Sequence, residues 1–138
     1  MAVKHLIENL TIPLSANQKD LLIKSASSIT DTKLKSGISH GFGYHHGGLL
    51  PETRSIIEQL FRNGQLPVLV TTSTLATGVN LPAHLVIIKS TKFYNQGGFQ
   101  DYPASAVLQM IGRAGRPQFD TEATALILTS IADKVSKV

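Results

Sequence analysis

The apolar runs of this chain do not alternate with polar residues. Val68-Leu69-Val70-Thr71, Leu85-Val86-Ile87-Ile88 and Ala125-Leu126-Ile127-Leu128 are each continuous, the pattern of strands buried on both faces of a sheet. Between them lie segments with helical spacing. Strands of this kind separated by helices predict an α/β domain of three layers, a mainly parallel sheet covered by helices on both sides. A chain of 138 residues, 42% of them apolar, suits one core and one domain over residues 1–138.

Spacing and punctuation place the other elements. Val3, Leu6, Ile7 and Leu10 recur at intervals of three and four, which predicts a helix over Met1 to Leu10, ended by Pro13. Ser15 is the expected cap of a second helix reaching about Ile29, with Leu21, Leu22, Ser25 and Ala26 as its inner stripe. Asp31 is placed to cap a third, short helix. Gly41-Phe42-Gly43-Tyr44-His45, apolar and bounded by glycines, predicts a buried strand. Pro51 suits the first position of a helix whose buried face is Ile56, Ile57, Leu60 and Phe61, with Gly64 as its stop. A short helical turn follows Thr71, Pro103 opens a helix through Met110, and Ala123 to Ser130 holds the last strand. Lys92 to Gln100, with turn residues between aromatics, predicts a β-hairpin.

Composition excludes several function classes. No apolar run reaches the length of a membrane span, and Lys4, His5 and Glu8 break up the N-terminal stretch, which suits neither a span nor a secretory signal. The absence of cysteine removes disulfides, thiolate zinc sites and cysteine nucleophiles, in keeping with the cytosol or nucleus. A formal charge of +4, from 13 Lys and Arg against 9 Asp and Glu, favours polyanionic partners without identifying one. Position is more informative: of the arginines Arg54, Arg62, Arg113 and Arg116, the last two lie three apart in a glycine-rich segment.

Two segments carry residue types suited to phosphate. Thr71-Thr72-Ser73-Thr74 leads through Gly78 and Asn80 to Pro82 and leaves a strand for a helix. Hydroxyls and unpaired helix amides at such a turn suit phosphate oxygens, although Ser and Thr there also serve as simple caps. In Gln109-Met110-Ile111-Gly112-Arg113-Ala114-Gly115-Arg116-Pro117, Gly112 and Gly115 are expected to let the backbone turn tightly. Arg113 and Arg116 then aim two planar cations at one anion, unless they are ordinary solvated arginines. His40, His45 and His46 have no acidic or thiol partner at ligand-like spacing, so no metal site is expected. His45 and His46 point to opposite faces of a strand end, one packed or capped, the other available to nucleic acid.

Gln109 to Pro117 resembles the sixth motif of superfamily-two helicases, and Thr72 to Pro82 resembles their fifth. His45-His46-Gly47-Gly48-Leu49-Leu50, followed by the helix from Pro51, resembles the preceding segment of the Ski-like DExH class, where many relatives carry an alanine in place of one of the two glycines. Thr71 to Ser90 and Pro117-Gln118-Phe119-Asp120-Thr121 are most similar to the meiotic crossover DNA helicases, with the large spliceosomal RNA helicases next. The resemblance covers residues 37–130; residues 1–36, a helical N-terminal part, match only loosely.

The resemblance implies a second RecA-like lobe of P-loop NTPase type, whose first strand is expected ahead of Ala2. It implies ATP with Mg²⁺ as cofactor, the metal ligands lying in a first lobe. This chain has neither a Gly-Lys-Ser/Thr loop nor an Asp-Glu-x-His run. The implied partners are DNA, as a single strand and at a duplex junction, and the first RecA-like lobe of the same protein; no membrane is involved, and the nucleus is the expected compartment. Carried onto this sequence, Arg113, Arg116 and Gln109 line the γ-phosphate site, and Gly78 and Asn80 form the nucleotide-sensing end of the fifth motif. Thr72 and His46 contact the strand. A hairpin at this place in related DNA helicases sits at the junction, so Phe93, Tyr94 or Phe99 is expected to stack on the last base pair unless the hairpin only packs on its own domain. An RNA helicase lobe is the first alternative, because backbone contacts do not separate the two. A noncatalytic helicase-like nucleic-acid-binding module is the second, against which Gln109, Arg113 and Arg116 stand together.

Overall fold

The computed structural model describes residues 2–130; Met1 and the C-terminal residues 131–138 lie outside that range. The described chain forms two compact units, one running to Leu75 and the other starting at Ala76.

The first unit holds α1 (Ala2–Asn9), α2 (Ala16–Ser25), α3 (Thr32–Ser39), β1 (Phe42–His45), α4 (Pro51–Arg62) and β2 (Val68–Thr71). Two of its helices begin on side-chain caps. Ser15 accepts a hydrogen bond from the Gln18 amide at 3.2 Å, and Asp31 accepts from Lys33 and Leu34 at 2.9 and 3.0 Å, each satisfying donors that a helix start leaves unpaired. α2 ends at Ser25, short of the expected Ile29. The chain turns there, with the Ser27 amide on the Lys24 carbonyl at 3.1 Å and Ile29 on Ala26 at 3.1 Å, so Ala26 and Ile29 enter the core from a turn. The inner stripe is Leu22, Ala26 and Ile29, at helical intervals of four and three. Leu21 and Leu10, expected to face inward, are 37% and 52% exposed.

Those three residues pack with Leu34, Ile38, Ile57, Leu60 and Leu66 into one core cluster, with Ile56 and Phe61 at its edge. Pro51 stands at the start of α4 as expected. Gly64, at φ +70°, takes a conformation open to glycine and reverses the chain, so that the Gln65 and Leu66 amides both bond to the Leu60 carbonyl. β1 and β2 are parallel, with Phe42 opposite Val68 and His45 opposite Thr71.

α5 (Thr74–Gly78) crosses from one unit to the other. The second unit continues with β3 (Leu85–Ile88), β4 (Lys92–Asn95), β5 (Gly98–Asp101), α6 (Ala104–Ile111) and β6 (Thr124–Ile127). β3 and β6 are parallel, Leu85 opposite Thr124 and Ile88 opposite Ile127; β6 therefore starts one residue before the expected Ala125. The expected burial on both strand faces is not met. Leu85 and Ile87 are 43% and 56% exposed, Leu126 47%, and β2 is only half-buried. Among the described residues each strand pairs with a single neighbour, and α6 contributes no buried residue. The parallel pairs joined through helices are nonetheless the α/β arrangement of a RecA-like domain. No helix among the described residues is long and apolar enough to cross a membrane.

Candidate nucleotide and nucleic-acid site

In the second unit the arginine-rich segment is fastened to the segment that follows α5. At the C-terminal end of α6 the chain passes through Gly112, whose φ −62° and ψ −6° are open to any residue; the tight turn expected there is an ordinary helix end. Gly115 is different. At φ +95° it brings its backbone so close that an added Cβ would lie 3.0 Å from the Ala123 Cβ. The turn presents Ala114 to Ala83 as a parallel bridge, with the Ala83 amide on the Arg113 carbonyl at 2.9 Å and the Gly115 amide on the Ala83 carbonyl at 2.7 Å.

The Arg113 side chain completes this join. Its Nε and Nη2 both donate to the Ala76 carbonyl and its Nη1 donates to Asn80 Oδ1 at 3.1 Å. Arg116 makes a fork on one carboxylate, Nε to Asp120 Oδ2 and Nη2 to Asp120 Oδ1, both at 2.9 Å, while its own amide donates to Oδ2 at 2.8 Å. The hydrogen bonds from Arg116 hold the Asp120 carboxyl far below the usual carboxylate range, against desolvation and with help from His84, and Asp120 in turn raises Arg116. The Arg116 guanidinium also lies 5.6 Å over the Phe119 ring.

The two cations have separate partners within the protein. Asp120 neutralises one, and carbonyl and amide dipoles hold the other, which is how two arginines three apart coexist. Both guanidiniums keep N–H groups with no acceptor among the described residues, so each can still grip an anion. Gln109 is exposed on α6, one turn ahead of Arg113, and Gly78 is exposed at the end of α5.

The first unit gathers a second set of residues at the carboxyl ends of β1 and β2. Thr72 and His46 each follow the last residue of a strand, and the Thr72 amide bonds to the His45 carbonyl at 3.2 Å. Thr72 is exposed, its hydroxyl 2.8 Å from that of Thr74. The paired histidines part as the strand period requires. His45 turns inward, 6% exposed, with Nε2 2.7 Å from Glu58 Oε1, while half-buried His46 stacks on Tyr44. The partner of His45 is an acid on α4, thirteen residues away, which no local spacing would reveal.

β4 and β5 form the expected antiparallel hairpin, Tyr94 opposite Phe99. The three aromatics separate by environment. Phe93 packs on Tyr102 with ring centroids 4.8 Å apart. Tyr94 and Phe99 are 73% and 76% exposed and meet edge to face at 5.5 Å, a pair of rings presented to solvent.

The profile of the helicase conserved C-terminal domain matches residues 2–118. The chain belongs to that family. The helicase C-terminal domain described here is 53% identical over 133 residues to the probable ATP-dependent DNA helicase HFM1 of Mus musculus, covering 96% of this chain and 9% of that protein. It is 49% identical over 117 residues to the ATP-dependent DNA helicase MER3 homolog of Oryza sativa subsp. japonica, covering 83% and 10%. The DExH-box ATP-dependent RNA helicase DExH14 of Arabidopsis thaliana is 50% identical over 117 residues, covering 83% and 5%. The chain spans a tenth or less of the length of these relatives.

Three residues of this helicase domain matter to the site and were not singled out by sequence. Asp120 anchors Arg116, Glu58 holds His45, and Tyr44 supports His46. Asp120 lies four residues from Arg116 and Tyr44 two from His46, so each left a local signal; Glu58 left none.

Proposed function

We propose that this domain is the second motor lobe of an ATP-dependent DNA helicase, with residues 1–138 one domain of a longer nuclear protein and residues 1–36 its helical entry. The observation that carries the reading is the join of Arg113 to Ala76 and Asn80, which ties the fifth-motif segment to the sixth and holds one guanidinium with N–H groups to spare. Two guanidiniums with the amides of Asn80 and Gln109 suit the phosphates of ATP. The acid among them, Asp120, is already paired, so Mg²⁺ is assigned to ligands in a first RecA-like lobe of the same protein.

ATP supplies the γ-phosphoryl group whose hydrolysis drives the cycle. Arg113 and Arg116 stabilise charge that develops during that transfer, a contribution of up to ~10³ to 10⁵ in rate for an arginine in such a site. Gln109 and Gly78 line the same site. Thr72 and His46 hold a phosphodiester backbone without sequence preference. Tyr94 and Phe99 stack at the duplex junction, and Phe93 fastens the base of their hairpin.

DNA as the strand rests on the relatives named DNA helicases. DExH14, named an RNA helicase, supports RNA at similar identity, and backbone contacts serve either. The test is ATP hydrolysis by the complete protein with single-stranded DNA or RNA, beside the same assay on the purified 138-residue chain. Stimulation by DNA and none by RNA is expected, with no turnover in the isolated chain. Stimulation by RNA alone would move the substrate to RNA, and Arg116-dependent turnover by the isolated chain would overturn the split phosphate site.

A further inference from the structure

His46 is held on two sides, by Gly48 and by Tyr44. Its Nδ1 lies 3.1 Å from the Gly48 amide, which donates to it. A ring nitrogen that accepts a hydrogen bond carries no proton, so the neutral ring must carry its proton on Nε2. Its face lies parallel to that of Tyr44, ring centroids 5.8 Å apart and planes 6° from parallel, an offset stack. The Tyr44 hydroxyl donates to Asp31 Oδ2 at 2.5 Å. Asp31 is itself fixed, since its other oxygen caps α3 through the Lys33 and Leu34 amides. A helix cap, a tyrosine and a histidine thus form one chain of contacts within the first unit.

We propose that Tyr44 is a positioning residue for His46: anchored on Asp31, it and the Gly48 amide fix the His46 ring as the Nε2–H tautomer, a ready donor to a phosphodiester oxygen of a nucleic-acid strand. The proposal rests on the reading of His46 and Thr72 as strand contacts. Thr72 follows β2 as His46 follows β1, so a hydroxyl and an imidazole belong to the same sheet end, where a nucleic-acid strand's backbone oxygens would find both donors. A rotating or mixed-tautomer ring would present an acceptor to phosphate part of the time, which repels it. Burial, and then the bond to Asp31, push the Tyr44 hydroxyl up to about 12, so it stays a donor to Asp31 at any working pH. The two adjacent glycines divide the same way. A Cβ on Gly48 would come within 3.1 Å of His46 Nδ1, whereas a Cβ on Gly47 would meet nothing within 4 Å. An alanine is therefore accommodated at Gly47 and crowds the ring at Gly48.

The experiment combines histidine ¹⁵N spectra of the full chain with binding of a fluorescent oligothymidine, for the parent and for Tyr44→Leu, Tyr44→Phe, Gly48→Ala, Gly47→Ala and His46→Ala. In the parent, His46 should show a protonated Nε2 and an unprotonated Nδ1. Tyr44→Leu and Gly48→Ala should give averaged ring signals and roughly five- to tenfold weaker binding, about what one ordinary hydrogen bond contributes. Tyr44→Phe, which keeps the stack but not the anchor, should fall between, and Gly47→Ala should match the parent in both readouts. A parent ring already in mixed tautomers, or a ring signal unchanged in both Tyr44→Leu and Gly48→Ala, would overturn the positioning role even if His46→Ala weakens binding. Unchanged binding in His46→Ala would instead remove the strand contact itself, and with it the donor role proposed here.

Discussion

Arg116 grips Asp120 by both carboxylate oxygens, Nε on Oδ2 and Nη2 on Oδ1 at 2.9 Å each, and closes a loop of five residues that no helix supports. The Asp120 side chain is 6% exposed while that of Arg116 is 41% exposed, so the acid is the fixed member and the arginine the presented one. Asp120 sets where Arg116 can reach.

That pairing makes stability depend on pH in a definite direction. The folded pKa of Asp120 lies below its ordinary 3.8, so its contribution is complete above that ordinary value and is lost as pH falls toward the folded one. Asp120→Asn should be less stable than the parent in chemical denaturation at pH 7, and the gap should shrink as the pH is taken below about 4. Some acid sensitivity should survive in the variant, because the Tyr44 bond and the cap amides also hold Asp31 below its ordinary value. A gap that widens in acid would contradict the assignment.

His45 makes a second, structural prediction. Its Nδ1 is buried without a partner among the described residues, so the 2.7 Å contact to Glu58 is the side chain's one satisfied end. Glu58→Ala should cost about 1 to 3 kcal/mol, the range for leaving a buried polar group unsatisfied, and Glu58→Gln should recover part of it. Urea denaturation of the two variants measures both. Equal loss in each would mean that the charge, and not the hydrogen bond, matters.

The hairpin aromatics should separate by function. Tyr94→Ala and Phe99→Ala, which remove exposed rings, should reduce unwinding by the complete enzyme far more than strand-stimulated ATP hydrolysis, with each base stack worth roughly 1 to 3 kcal/mol. Phe93→Ala removes the packing on Tyr102 and should lower the stability of the domain as well. Unwinding unaffected in both Tyr94→Ala and Phe99→Ala would leave the hairpin a packed element only.

The sequence was most legible where local chemistry decides structure. Ser15, Asp31, Pro51 and Gly64 each mark a helix end through a hydrogen bond or a backbone conformation that few other residues supply, and all are observed in those places. The hairpin between Asn95 and Gly98 was legible for the same reason. What could not be read was set by distance. Whether Leu85 and Ile87 are covered depends on which layers pack on β3, a fact absent from the composition of the strand itself. The arginines stood out in the sequence as a clustered pair, the basis of the phosphate role proposed for them, yet their partners in the fold, a carbonyl at Ala76 and a carboxylate at Asp120, follow from the turn at Gly115. His46 was visible as a candidate, but its support from Tyr44 needed the strand end to be built.

The central claim is that Arg113 and Arg116 serve phosphoryl transfer, and turnover beside nucleotide affinity tests it most directly. The measurement is ATP hydrolysis by the complete enzyme with saturating ATP and single-stranded DNA, and ATP binding, for Arg113→Ala, Arg116→Ala and the two lysine variants. Contacts that strengthen as charge develops lower turnover much more than binding when removed. Each alanine variant should therefore lose at least about 10³ in turnover while binding ATP nearly as well as the parent. Lysine keeps the charge but not the planar fork, and at Arg113 it also cannot reproduce the hold on Ala76 and Asn80, so neither lysine should rescue. Near-parent turnover in both alanine variants would take the two arginines out of the active site and contradict the account.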